Sequence, residues 1–320
     1  MCNLVSASFL FQLGIKMQFV PITKKQELDF ERDGFLIVKN VLDNDTIKKV
    51  INLFDAEKKK LPTPENYYSN SYVPLTPESE ILTKLICNNT IVSLMVQLMS
   101  PEIIAGPGLG AIYKPPQKKL DGPLNKKKGF SHPFVHPEYP GPWNWHRDLN
   151  NWLPNDPRRG TCGINVFFCL TDAVEENAGG TLLIPGSYKY TKQITINKKT
   201  GYPNNDYIEP SVKAGDVYFF STSCYHAVGP NFSDSTMKLA IVGYKYLWMN
   251  YINFADDKKV KPQLANAKAG LESMLKNYSP EELQCLGHVK REGWLPNLPL
   301  RLWGKENGLD CDELPMRFYG

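Results

Sequence analysis

Hydrophobic positions near the start of the chain recur at helical spacing. The stretch Lys24 to Arg32 predicts a short helix, which Gly34 stops because glycine readily adopts the left-handed conformation that ends helices. Phe35–Val38 then predicts a strand. Asp43 or Asn44 can cap a second helix. The N-terminal part is therefore predicted to be helical, with one strand inserted.

The centre of the chain changes to the spacing of strands. A further helix is predicted from Asn89 or Thr90 to Met99, and the strand period begins just after it. Ile164–Leu170 and Met237–Leu247 are the longest apolar runs of this kind. Both runs are predicted to be strands.

Three polar stretches interrupt these elements. Leu61 to Val73 is rich in proline, asparagine and tyrosine and is predicted to be a loop. Residues 115 to 142 hold many Pro, Gly and Lys residues without periodicity, and residues 188 to 212 form a second long polar loop. Long loops in compact domains are usually functional or mobile. The first of these long loops can be either a lid over a site or a solvated surface insertion.

The two ends of the chain differ from this centre. Residues 1–16 are interpreted as an extension, and either Met1 or Met17 can be the true start. Residues from about 256 to 320 read as a helical segment whose aromatic residues predict packing on the main body. We expect a single domain over residues 17–320, mostly β with flanking helices. Its predicted core is a double-stranded β-helix, which is a jelly-roll or cupin-like architecture.

Composition narrows the classes of function. The net charge of +4 arises from 37 basic and 33 acidic residues, a balance that argues against nucleic acid as a partner. No run approaches the ~20 apolar residues of a membrane helix, so no membrane span is predicted. Seven cysteines without a C-x-x-C pair predict reduced thiols in an intracellular, cytoplasmic protein. Organelle targeting by residues 1–16 stays open, as does the oligomeric state.

The candidate chemistry centres on a tryptophan-rich stretch from Trp143 to Trp152. It contains His146 and Asp148, which point to the same face if the stretch is extended. A second histidine, His226, follows 78 positions after Asp148. Two histidines and one carboxylate on one face of an ion form the facial triad of non-haem Fe(II) oxygenases. An H-x-D sequence alone also occurs where the histidine and aspartate only stabilise a turn.

Three further motifs accompany this stretch in a fixed order. They are the segments Asp33–Leu42 (DGFLIVKNVL), Asn177–Ser187 (NAGGTLLIPGS) and Ala214–Asp216 (AGD). In order and spacing the chain resembles the phytanoyl-CoA dioxygenase family of Fe(II)/2-oxoglutarate oxygenases over roughly residues 25 to 250. The resemblance implies a jelly-roll core and assigns the catalytic metal ligands to His146, Asp148 and His226. It also implies Fe(II), 2-oxoglutarate as cosubstrate, and O2.

The anchor for the cosubstrate is where the chain departs from the family pattern. The family usually has an arginine about eleven residues after the distal histidine, and Met237 stands there in this chain. Lys238 is the adjacent candidate if the turn brings it inward, and Lys114 is a second candidate cation. Asn165 and Thr181 are expected to line the same cavity and to contact the cosubstrate.

Three residues are candidates for contact with a substrate. Trp152, just past the metal-binding stretch, is interpreted as a cavity wall. His136 lies in the long loop that precedes this stretch. Arg147 lies between two predicted ligands and projects to the opposite face of a strand, so a salt bridge is its alternative interpretation.

These observations predict an oxidoreductase of small-molecule metabolism. The predicted reaction is hydroxylation, desaturation or oxidative cyclisation at a C–H bond, with release of succinate and CO2. The substrate stays open among acidic, amino-acid-derived, terpenoid and acyl-type molecules. One alternative is a non-catalytic cupin-like protein that binds a metal or ligand, and another is a zinc or manganese cupin hydrolase or isomerase. Succinate formation from 2-oxoglutarate distinguishes the oxygenase from both.

Overall fold

The computed structural model describes residues 17–60, 68–73, 80–105, 109–116, 143–148, 163–197, 201–247, 278–286 and 298–311. The helices in these ranges are α1 (Lys24–Asp33), α2 (Asn44–Lys58), α3 (Glu80–Ile86), α4 (Asn89–Leu98), α5 (Pro280–Cys285) and α6 (Pro299–Glu306). The strands are β1 (Phe35–Val38), β2 (Tyr68–Val73), β3 (Ile103–Ala105), β4 (Leu109–Lys114), β5 (Trp143–His146), β6 (Gly163–Cys169), β7 (Thr181–Leu183), β8 (Val217–Ser221), β9 (His226–Val228) and β10 (Met237–Tyr246).

The strands form two antiparallel sheets. The larger sheet has seven strands in the order β1-β8-β6-β10-β4-β2, with β3 also paired to β10. The smaller sheet has three strands in the order β5-β9-β7. Leu183 of the smaller sheet packs in one buried cluster with Phe167 and Tyr218 of the larger sheet, so the two sheets face each other. This arrangement confirms the predicted jelly-roll core with flanking helices.

Strand β10 shows how the larger sheet separates two cores. Its residues Ala240, Val242 and Tyr244 pack in the cluster that contains α2, α3 and α4. Met237 and Leu239 lie on the other face, in the cluster between the sheets. Successive side chains of a strand point to opposite faces of the sheet, and register partners on adjacent strands share a face. The register therefore shows on which side of the sheet each residue paired with β10 lies. The face between the sheets is called the inner face below.

The first helix is joined to the strands by a tight corner at Gly34. This glycine has a φ of 72°, and its N–H donates to the carbonyl of Phe30 as the helix ends. A Cβ at this position would lie 2.5 Å from Tyr188 Cδ1 and 2.6 Å from Cys224 Sγ. Only glycine fits both the conformation and the space. The predicted end of α1 is confirmed.

The described part of the C-terminal segment packs on the main body. Trp303, which is 1% exposed, donates from its indole N–H to the carbonyl of Met17. The Gln284 amide donates to the carbonyls of Pro101 and Ile103, which ties α5 to β3. Residues 256–277 and 287–297 of the predicted helical segment lie outside the described residues.

One predicted loop is a strand. Residues 68–73 form β2, which pairs with β4 at the edge of the larger sheet, with Tyr68 opposite Tyr113. An edge strand needs hydrogen bonds along only one side, so a polar, turn-like composition does not prevent it. The prediction of a loop over Leu61 to Val73 was therefore wrong for these six residues.

One described stretch, Glu80–Leu98, is long and apolar enough by length and composition to cross a membrane. It comprises α3 and α4, with a turn at Cys87 between them. Burial inside the protein covers 67% of the stretch, and core helices commonly have this composition.

Candidate metal centre

The smaller sheet brings the two predicted histidine ligands together. His146 ends β5 and lies directly opposite His226, which begins β9. The rings are 4.2 Å apart between centroids. On the other side, Leu183 of β7 is the register partner of His226. Paired residues of an antiparallel sheet share a face, so both imidazoles point to the inner face.

The predicted carboxylate lies against both rings. The N–H of Asp148 donates to the carbonyl of Thr222, which fixes the backbone two residues past His146. Asp148 Oδ1 is 3.3 Å from His146 Nε2 and 3.4 Å from His226 Nε2. The amide of Asn165 donates to Asp148 Oδ2. One carboxylate oxygen therefore faces the two imidazole nitrogens, while a hydrogen bond holds the other.

These three side chains fit a metal ion. Their ligand atoms all lie within 4.8 Å of one another. Two ligands at right angles, each about 2.1 Å from an ion, lie roughly 3 Å apart, close to the separations found here. Two neutral nitrogens and one carboxylate oxygen are the donor set of non-haem iron. The donors would leave the ion's remaining positions open toward the cavity.

The second ring nitrogen of His226 has its own partner. Nδ1 lies 3.0 Å from the carbonyl of Cys224, to which it can donate. A proton on Nδ1 leaves a lone pair on Nε2, the nitrogen that faces Asp148. The His226 side chain is only 9% exposed, whereas those of His146 and Asp148 are 26% and 31% exposed. The cavity is thus open on the side of His146 and Asp148.

The electrostatic environment favours the ligand form of Asp148. Burial by itself would raise the pKa of this carboxyl group. The charges and hydrogen bonds of His226 and His146 outweigh that effect and hold the pKa well below its usual range. The carboxylate is therefore ionised and available to a cation at neutral pH.

Two further predicted residues lie on the cavity wall. Asn165 contacts the triad through Asp148, as described above. The hydroxyl of Thr181 shares a 2.8 Å hydrogen bond with that of Tyr218 across the two sheets. Tyr218 is stacked on Phe167 at 4.9 Å between ring centroids. This pair of hydroxyls adds two polar groups to the inner face.

Lys114 lies at the end of the inner face. It is the register partner of Met237, which belongs to the buried cluster between the sheets. The side chain is 3% exposed, and burial lowers the pKa of its ammonium group to about 7, against an opposing effect of Glu209. A buried cation is costly unless something compensates its charge. Lys114 is therefore a candidate site for an anionic group.

Lys238 lies on the opposite face of the same sheet. Its ammonium forms an ion pair with Asp55 of α2 at 3.1 Å and lies 4.7 Å from the centre of the Tyr113 ring. The turn before β10 therefore does not bring Lys238 inward, since Met237 takes the inner position. This placement does not support the interpretation of Lys238 as the cosubstrate anchor.

Arg147 also points away from the cavity. It is 6% exposed, and its guanidinium donates to the carbonyls of Ser187 and Tyr190 at 2.8 and 2.9 Å. The same group lies over the ring of Tyr225 at 4.2 Å. These contacts fasten the ligand-bearing strand to the segment after β7. The placement supports a structural role and not contact with a substrate.

Replacing Arg147 with methionine is expected to lower the free energy of unfolding by roughly 2–4 kcal/mol, because two carbonyls lose a charged donor. Urea unfolding of the metal-free protein measures this loss. Lys192→Met, at an exposed position of the nearby segment, is the matched control. If the variant keeps its stability but has altered substrate kinetics, the structural role is wrong and Arg147 contacts the substrate.

The other predicted substrate residues lie outside the described residues. These are His136 and Trp152, together with most of the loop over residues 115–142. Two inner-face residues were missed in the sequence, namely Tyr218 and Glu209. The alternation of β8 could have indicated Tyr218, which is two positions before the inner-face Phe220. No local pattern marks Glu209, which contacts residues 29 and 32 positions away.

The sequence matches the model of a known protein family. The sequence model of the phytanoyl-CoA dioxygenase (PhyH) family matches residues 30–239. An ectoine dioxygenase of Streptomyces avermitilis is 23% identical over 237 residues, covering 66% of this chain and 74% of the relative. The multifunctional dioxygenase prhA of Penicillium brasilianum is 23% identical over 221 residues, covering 66% and 68%.

The fold is also similar to that of a solved structure. The crystal structure of HygX from Streptomyces hygroscopicus with nickel and 2-oxoglutarate bound has a TM-score of 0.51 to this chain. The two sequences are 12% identical, and the match covers 71% of this chain and 88% of HygX. At this identity the likeness shows a shared fold.

Proposed function

The chain belongs to the phytanoyl-CoA dioxygenase (PhyH) family and is an Fe(II)- and 2-oxoglutarate-dependent oxygenase, and we propose that it oxidises a C–H bond of a small acidic molecule. The observation that carries this proposal is the convergence of His146, Asp148 and His226 on one point of the inner face. When bound, iron and 2-oxoglutarate supply the oxidation, in which 2-oxoglutarate is converted to succinate and CO2.

The protein's own contribution is position and charge. The two imidazoles and the Asp148 carboxylate would hold iron on one side, and the Asn165 amide keeps that carboxylate in place. Lys114 is our candidate for the distal carboxylate of 2-oxoglutarate, since it supplies a buried charge beside the position where the family has arginine. Thr181 and Tyr218 would donate hydrogen bonds along the same wall. A lysine offers a point charge where arginine would offer a two-pronged contact.

A second lysine on the inner face supports an acidic substrate. Lys245 lies on the same face of β10 as Met237 and Leu239, opposite Gly163 of β6. Gly243, two residues before Lys245 on the same face of β10, is the register partner of Asn165, which contacts the triad. Lys114 pairs with Met237 at the other end of β10, so Lys245 lies beyond the triad on the side away from Lys114. It is half-buried, and burial lowers the pKa of its ammonium group to about 8. We propose that Lys245 attracts an anionic group of the substrate.

Succinate formation tests this function directly. Fe(II)-loaded protein is incubated with 2-oxoglutarate, O2 and pairs of molecules that differ only as carboxylic acid and primary amide, drawn from amino-acid-derived, terpenoid and acyl compounds. We expect an acid to stimulate succinate formation above the rate without substrate, its amide to stimulate less, and Lys245→Met to reduce the difference. Equal stimulation by acids and amides would contradict an acidic substrate but not the oxygenase.

The binding of 2-oxoglutarate is expected to weaken as pH rises. Lys114 carries its charge only below a pKa of about 7 in the unliganded protein. Its protonated form binds the carboxylate, so affinity is constant at lower pH and the dissociation constant rises by roughly tenfold per pH unit above that value. Anaerobic titration of the Fe(II)-loaded protein with 2-oxoglutarate over a pH series measures this slope. A dissociation constant that does not change from neutral to alkaline pH would exclude Lys114.

A further inference from the structure

A carboxylate that the reaction does not use lies near Lys114. Glu209 Oε2 accepts from the N–H of Asn177 at 2.7 Å, and its Oε1 accepts from the N–H of Gly180 at 2.8 Å. A Cβ on Gly180 would come within 2.9 Å of Oε1, so glycine is needed for this close approach. Both oxygens of Glu209 are therefore engaged by the backbone of one turn.

That turn leads directly into the cavity wall. Asn177 has a φ of 59°, a left-handed conformation that costs free energy for a residue with a side chain. Gly179, with a φ of 90°, continues the turn, and Thr181 begins β7 one residue after Gly180. The two hydrogen bonds to Glu209 compensate for the unfavourable backbone. They hold Thr181 where its hydroxyl meets that of Tyr218.

Glu209 also acts on Lys114 without bonding to it. Across the ranges that the structure covers, the Lys114 ammonium has neither a hydrogen bond nor an ion pair, and Glu209 is the charged group that acts on it. The neighbouring side chains of Met237 and Asn231 carry no charge. The carboxylate favours the charged form of the lysine, while the three N–H donors of the ammonium stay available to a ligand.

We propose that Glu209 is a positioning residue for the cosubstrate, which holds the Thr181 turn and places a negative charge near Lys114 without occupying its hydrogen-bond donors. The inference rests on the proposed role of Lys114 in binding 2-oxoglutarate. It assigns to one half-buried glutamate two effects that a structural residue would not combine. It also accounts for a cosubstrate site that uses lysine in place of the family's arginine.

The Glu209→Gln variant removes the charge and also one of the two acceptors of the turn, because the amide NH2 group cannot accept a hydrogen bond. Its effect on the pH dependence of 2-oxoglutarate binding reports the charge, and its effect on affinity at lower pH reports the turn. Its loss of charge lowers the pKa of Lys114 further, so the pH at which 2-oxoglutarate binding begins to weaken should fall by about one unit or more. Affinity at lower pH should also fall, because one of the two N–H groups of the turn loses its acceptor. Anaerobic titration with 2-oxoglutarate over a pH series measures both quantities. Glu175→Gln, at an exposed position, should match wild type.

A purely structural role gives a different result. If Glu209 only holds the turn, Glu209→Gln weakens 2-oxoglutarate binding equally at every pH. The pH at which binding begins to weaken, called the midpoint here, would then stay unchanged, and this result would overturn the proposal. Glu209→Asp, which keeps the charge on a shorter side chain, should retain the wild-type midpoint. A midpoint shifted equally in Glu209→Asp would also overturn it.

A second measurement does not depend on 2-oxoglutarate. Between a pKa of about 7 in the folded protein and the usual lysine value of 10.5, the unfolded chain binds more protons at Lys114, so stability rises with pH across this window. Relative to wild type, Lys114→Met should lack this rise, and in Glu209→Gln the rise should begin at lower pH. An unaltered onset in Glu209→Gln would refute the effect on Lys114. Failure of wild type to bind 2-oxoglutarate, with the onset shifted as expected, would instead refute the proposed cosubstrate site.

Discussion

Replacing Asp148 with asparagine is expected to lower the affinity for Fe(II) by at least about a hundredfold, beyond the 10–100-fold found for residues that only support metal ligands. The amide has the same shape but no charge, so the cation loses its one anionic ligand. Asn165 would then face an amide where it now donates to a carboxylate. Anaerobic equilibrium titration with Fe(II), followed by metal analysis of the separated protein, measures the change.

The control for this prediction is Asp206→Asn, which makes the same chemical change at an exposed position. It should bind iron as wild type does. Metal-free Asp148→Asn should unfold at a lower temperature than wild type at neutral pH, because the interactions that lower the pKa of this carboxyl group stabilise the folded state. Undiminished iron binding by Asp148→Asn would remove this carboxylate from the site.

Replacing Lys114 with methionine is expected to raise the dissociation constant for 2-oxoglutarate by roughly 30-fold or more, the effect of losing about 2 kcal/mol or more when one partner of a buried charge pair is removed. The dependence of this constant on pH above neutrality should disappear with the ammonium group. Stability should not fall, because methionine fills similar space without the cost of burying a charge. Titration of the Fe(II)-loaded variant with 2-oxoglutarate measures the affinity and its pH dependence, and urea unfolding measures the stability.

Lys238→Met is the matched control, because both lysines lie at the same end of the larger sheet but on opposite faces. It should lose only the exposed-side ion pair with Asp55 and keep the wild-type affinity for 2-oxoglutarate. If Lys238→Met weakens binding while Lys114→Met does not, the assignment of the cosubstrate site to the inner face is wrong.

Periodicity and motif order predicted most of the fold. Helix α1 and its end at Gly34 followed from a local rule, since the left-handed residue that ends a helix is most often glycine. The jelly-roll class followed from the order of motifs. Strand β2 could not be predicted, because its hydrogen bonds come from β4, about 40 residues later in the sequence. Its own composition is that of a loop.

The sequence likewise predicted some residues of the site and left others open. His146 and Asp148 share a face through local spacing, and motif order added His226. The choice between Lys114 and Lys238 depends on which of two adjacent positions in β10 enters the cavity. A shift of one residue in the preceding turn reverses that choice, so sequence alone left it open. Glu209 depends on contacts between distant segments and carries no local signal.

The most direct test of the oxygenase function is anaerobic addition of 2-oxoglutarate to the Fe(II)-loaded protein, followed by visible absorption spectroscopy. Chelation of iron by the keto acid produces a weak metal-to-ligand charge-transfer band. We predict that this band appears and saturates in wild type, is absent in Asp148→Asn, and requires much more 2-oxoglutarate in Lys114→Met. Iron binding without any such band in wild type would contradict the oxygenase and favour a cupin-like protein that binds metal without turning over 2-oxoglutarate.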